Sequence, residues 1–167
     1  NLLKKAYSDN STASWHWFEQ SMTYDNGILP LALLSAFEVN KDQEAYDIAL
    51  QSLNFLTAHT LKEGYLNPVG NDGWFEKNKE MAEYDQQAIE TMAMVLVYFK
   101  AFEVTHEIGY IEKMHLCYQW FLGENSLHLP LYDHETKGCG DGLQTYGVNR
   151  NQGAESTLAY LISHLVV

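Results

Sequence analysis

Apolar residues recur three and four positions apart along most of the chain, the spacing that lines one face of a helix. Leu31, Leu34, Ala36 and Phe37 predict a helix over 29–39, with Pro30 in its first turn, where no amide donor is needed. Asp42 fits the N-cap of a second helix ending near Thr60, striped by Tyr46, Ala49, Leu50, Leu53 and Leu56. Gly64 closes that unit. A long polar and aromatic loop, EGYLNPVGNDGWFEKNKEMAEYD, leads to a helix over 86–105. That helix is apolar nearly all round, from Ile89 through Met92, Met94 and Leu96 to Val97, which predicts burial on most sides. A one-sided helix over 107–121 follows, carrying Ile111, Met114, Tyr118 and Phe121 and ended by Gly123. A last helix spans 153–165. Strand-like alternation is scarce, so the expected fold class is all-α.

The pattern repeats. TYDNGILPLALLSAF, EYDQQAIETMAMVLVYF and VNRNQGAESTLAYLISHL each run from a polar loop end into an apolar helix, and amphipathic helices return between them. The period, from Asp25 to Asp85 to Arg150, is about sixty residues, which reads as an α-hairpin array. All-round apolar helices belong inside such an array and one-sided helices outside. The three polar loop ends then gather on one face. We expect one helical domain over 1–167, and with Asn1 in place of an initiating Met we expect a processed or truncated start, as in a piece of a longer chain.

Composition narrows the partners. The 167 residues are 46% hydrophobic and 13% aromatic, enough for a sizeable core. A net charge of −12, with ten Lys and Arg, repels nucleic acid and anionic membranes, while a neutral saccharide is compatible with it. No run of apolar residues is long enough to span a bilayer. CxxC, HExxH, P-loop and GxGxxG patterns are absent, so no metal and no cofactor is expected. Two cysteines, Cys117 and Cys139, do not make a disulfide scaffold and favour a cytoplasmic location.

Candidate chemistry concentrates at the loop ends. Glu90 and Glu155 each follow a repeat boundary by five residues, after Asp85 and Arg150, one helical turn inside the expected mouth. Glycoside hydrolysis needs one protonated and one ionised carboxyl across the scissile bond. Asp85, Glu155 and Glu90 are therefore the candidate catalytic residues. Trp17, Asp25, Asp72, Trp74, Arg150 and Asn151 are the candidate substrate-binding residues, since aromatic faces stack on pyranose rings. Structural roles compete at each position. Asp25 and Asp85 fit N-caps. Glu155 can pair with Arg150 or form a capping box with Asn151, and Arg150, the only Arg, invites a carboxylate. The Trp rings can simply pack under loops. Cys139 has no neighbouring base to make it a nucleophile.

The segments WHWFEQSMTYDNGILPLALL, NPVGNDGW, EYDQQAIETMAM, WFLGENSLHLPLYD, GCGDGL and VNRNQGAESTLAYL resemble a helical domain of bacterial glycosyltransferases. In those proteins the domain follows the sugar-nucleotide-dependent transferase module. The alternation of inner and outer helices is also similar to the (α/α) toroids of six-hairpin glycosidases and N-acylglucosamine epimerases. The resemblance implies an (α/α) toroid or its C-terminal half, with self-association or a missing N-terminal half covering the open side. It also implies a carbohydrate-active domain with a saccharide-binding cleft, engaged in glycoside hydrolysis or other sugar processing. The alternatives are a non-catalytic glycan-binding or scaffold domain accessory to a glycosyltransferase, and a protein-binding helical array.

Overall fold

The computed structural model describes residues 2–62 and 64–167. Six helices account for most of the ordered backbone: α1 Leu2–Asn10, α2 Ile28–Asn40, α3 Gln43–Thr60, α4 Ala88–Thr105, α5 Gly109–Leu122 and α6 Ala154–Val166. The all-α expectation is wrong. The described residues are 52% helical and 12% strand, and the strands form three small antiparallel sheets. β1 (Ser21–Met22) pairs with β4 (Phe75–Glu76), and β2 (Leu61–Lys62) with β3 (Tyr65–Leu66). β5 (Gln86–Gln87), β6 (Gly142–Gln144) and β7 (Gly147–Asn149) form the third sheet. A mixed fold of helices tied by strands therefore replaces the expected uninterrupted array and toroid. The reason is physical: strands of two or three residues are too short to show alternation, and for β1–β4 and β5–β6 the partners also lie far apart in sequence.

Local chemistry explains the helix ends. The Asp42 carboxylate accepts the Ala45 amide at 3.2 Å, as an N-cap should. Gly123 ends α5 at φ 110°, a left-handed conformation that costs glycine little. Gln86 and Gln87, read from the sequence as the first turn of a helix, are instead a strand, and α4 begins after them. The α1 helix has too little apolar periodicity to predict.

The core forms around α4, which packs against α2, α5 and α6, while α3 packs on α2 and α1 on α3. Ala93, Met94, Val95, Val97, Tyr98 and Ala101 of α4 are buried. The start of α2 lies directly on the α4 backbone. A Cβ on Gly27 would stand 2.8 Å from the Ala93 carbonyl, so only glycine permits that approach. α6 closes the other side of α4 and leaves Leu158, Leu161, Ile162 and Leu165 exposed. Among the described residues, no helix is long and apolar enough to cross a membrane.

Candidate functional site

Two sets of contacts bring the starts of α2, α4 and α6 together. Glu90, in the first turn of α4 and only 4% exposed, reaches the loop before α2. Its carboxylate accepts the backbone amide of Asp25, the backbone amide of Asn26 at 3.3 Å and the Asn26 side-chain amide at 3.0 Å. Tyr24 then donates its hydroxyl to Glu155, in the first turn of α6, at 2.8 Å. Asp25, Glu90 and Glu155 thus form one carboxyl cluster, with Tyr24 and Asn26 as the side chains that assemble it.

Asp25 is the least satisfied member. It holds a left-handed φ of 54°, unusual for a residue with a Cβ, and its Oδ1 is buried without a hydrogen-bond partner. Burial, reinforced by the nearby Glu155 charge, raises its pKa to about 6. Burial raises Glu90 further, to about 7, against the pull of the Asn26 and Asp25 donors and with a contribution from the Asp25 charge. Tyr24 is pushed up to about 12 by burial and by its bond to Glu155. Asp25 and Glu90 therefore hold protons at pH values where isolated carboxyls have released them.

Asp85 belongs to a neighbouring arrangement. It precedes β5 rather than capping α4, whose N-cap, Gln87, makes no side-chain capping bond. Its Oδ1 is also buried without a partner, and Gln144 of β6 approaches Oδ2 at 3.5 Å. Burial raises its pKa; the Gln144 bond opposes this, and the charge of exposed Asp72 adds to it. The pairing of Gln86 with Leu143 and of Gln87 with Gly142 fixes this loop beside the hairpin that precedes α6. A Cβ on Gly142 would lie 2.9 Å from the Asp85 Oδ1 and 2.6 Å from the Gln86 carbonyl oxygen.

The dense polar run before α6 has a structural explanation. Asp141 accepts the Gly153 amide at 2.7 Å and hydrogen bonds from the Ser156 hydroxyl and the Asn151 side chain. It acts as the cap that Gly153, at the N-cap position, lacks a side chain to provide. Burial pushes the Asp141 pKa up, but the Ser156, Asn151 and Gly153 donors outweigh it and the net shift is downward. Asp141→Ala should therefore cost about 1–2 kcal/mol, the scale of a lost N-cap. By thermal unfolding, that is a drop of roughly 2–8 °C in Tm for a chain of this size. Because the folded pKa is lowered, the contribution is full above the ordinary value of 3.8 and fades as pH falls below it, so wild type and variant should converge in acid.

The other candidates divide. Asn151 is committed to the Asp141 clamp. Trp17 is fully buried, packs edge-on against Phe18 at 5.3 Å, and has no face to offer a sugar. Trp74 is half-buried at φ 60° on the 70–84 loop, with Asp72 exposed nearby in sequence. Arg150 pairs with neither Glu155 nor any other described side chain. Cys139 is buried, and burial pushes its thiol to about 12, so it is no nucleophile. Sequence reasoning missed Tyr24, Asn26, Gln144, Asp141 and Ser156. For Tyr24 and Asn26 the signal was their place on either side of Asp25; for Asp141 it was a lone carboxylate in the glycine-rich GCGDGL loop.

Two concavities share no lining residue with the Asp25, Glu90 and Glu155 cluster, one of about 630 Å³ lined by His59, Tyr65, Phe75 and Glu83, and one of about 880 Å³ beside Tyr132 and Tyr146. Among the described residues, no group of three or more His, Cys, Asp or Glu side chains is placed to hold a metal ion. No protein-family model matches the chain, and no curated protein matches it.

Proposed function

We propose that this is a carbohydrate-active domain in which Asp25 and Glu155 do acid–base work on a saccharide at the junction of α2, α4 and α6. The observation that carries the reading is Asp25: a partly buried carboxyl at strained backbone, with an unpartnered oxygen and a charged carboxylate neighbour. Paired carboxyls of which one keeps its proton are what glycoside hydrolysis requires. Strain and an unsatisfied acceptor cost stability, and such costs concentrate where chemistry is done. Glu90 is better suited to holding Asp25 in place than to catalysis, because its oxygens are occupied by donors from 25 and 26. The net charge of −12 favours a neutral sugar over an anionic one. Two free, buried thiols fit the cytoplasm.

A non-catalytic glycan-binding role is the second reading, and the Asp141 clamp favours it, because there the polar groups of a loop end serve the fold alone. Release of new reducing ends from neutral oligosaccharides by the wild-type chain, and its loss in Asp25→Asn with binding retained, separates the two. Binding without any such release retires the acid–base reading.

A further inference from the structure

The concavity of about 880 Å³ is within the size range of small-ligand sites and shares no lining residue with the carboxyl cluster. One side is rigid. Tyr132 stacks on Tyr160 of α6 with ring centroids 4.1 Å apart and planes 16° apart, and His134 meets its edge at 4.8 Å. Gln152 ties this wall to the loop before α6 by accepting the Thr136 hydroxyl at 2.8 Å. Tyr146, which also lines the groove, sits in the turn between β6 and β7 with 82% of its surface exposed. A Tyr ring at such a position offers an apolar face together with a polar hydroxyl to anything that enters the groove. Arg150 also lines the groove, and its guanidinium has no partner among the described residues although the chain carries 22 acidic residues.

The chemistry of the lining selects the occupant. Asp133 and Glu135 stand in the same groove as Arg150. An anionic ligand would meet those two carboxylates and a chain of net charge −12, while a cationic one would meet the guanidinium. A polyhydroxylated neutral ligand uses both: its hydroxyls accept from Arg150 and donate to carboxylates, and its C–H faces stack on a phenol ring. We propose that this groove binds a neutral oligosaccharide, with Tyr146 as the stacking platform and Arg150 donating to sugar hydroxyls. The proposal rests on the saccharide reading above and adds a docking site separate from the acid–base cluster.

The test is saturation-transfer difference NMR and titration of the whole chain with cellohexaose, mannohexaose and xylohexaose, with oligogalacturonate and oligolysine as charged comparators. At least one neutral hexasaccharide should bind. Tyr146→Ala should weaken it about tenfold, as loss of a central aromatic contact does, and Arg150→Gln roughly threefold to tenfold. Tyr146 is exposed, so its replacement leaves the core intact. Absence of neutral-saccharide binding, a preference for either charged oligomer, or binding unchanged in both variants would overturn the proposal. Binding sensitive to Tyr146→Ala, together with no turnover and no effect of Asp25→Asn, would support the groove and sink only the acid–base reading. Turnover lost in Asp25→Asn with binding untouched by Tyr146→Ala would do the reverse.

Discussion

Glu90→Ala should cost the fold about 3 kcal/mol or more, because it strands three donors that now converge on one buried carboxylate. Each buried donor left without an acceptor costs about 1–3 kcal/mol. The donors are the amides of Asp25 and Asn26 and the Asn26 side chain, and Asn26 is itself almost completely buried. For a chain of this size the loss corresponds to a fall in Tm of roughly 6–12 °C. Glu90→Gln keeps one acceptor oxygen and should lose less. It should also change the pH dependence. The folded pKa of Glu90, about 7, lies above its ordinary 4.5, and that of Asp25, about 6, above 3.8. Below the ordinary values both states are protonated and stability is undiminished. As pH rises toward 7 the unfolded chain ionises first, so stability falls across that window. Thermal melts between pH 4 and 8 should show this decline in wild type and a shallower one in Glu90→Gln. A pH-independent wild type, or an unaltered Tm in Glu90→Ala, would show that Glu90 does not hold the α2 loop.

Much of the helical framework was legible because its signals are local. The N-cap at Asp42, the stop at Gly123 and the apolar wrap of α4 each depend on residues within a turn or two of one another. The strands are too short to show alternation, and two of their pairings also join segments far apart. Ser21 pairs with Glu76, and Gln86 with Leu143, and nothing in either short segment alone announces the other. The carboxyl cluster was half-legible for the same reason. The repeat placed Asp25, Glu90 and Glu155 near matching helix starts. It did not show that Glu90 would turn to the backbone of the preceding unit, or that Tyr24, rather than Arg150, would meet Glu155. Trp17 lies beside Phe18 in a segment that reads equally as loop or core, and packing decided for the core.

Asp25→Asn should lower the rate of glycoside cleavage by a hundredfold or more while leaving saccharide binding within a fewfold. That is the scale of a lost general acid, and the amide keeps the carboxyl's shape. The pH profile carries the stronger test. A general acid acts only while protonated, so wild-type activity should fall as pH rises through about 6, where burial and the Glu155 charge place Asp25. Glu155→Gln should reduce the rate as well, since it removes the ionised partner. It should also move that alkaline limb to lower pH, because the charge that helps Asp25 keep its proton is gone. A merely structural Glu155 has no reason to shift the limb. Tyr24→Phe removes the hydroxyl donor to Glu155, but Tyr24 also lies within electrostatic reach of Asp25 and Glu90, so the change perturbs the whole cluster and is a weaker test than Glu155→Gln. Unchanged turnover in Asp25→Asn, or a limb that stays in place when Glu155 is neutralised, would show that these carboxyls share a neighbourhood without sharing a reaction.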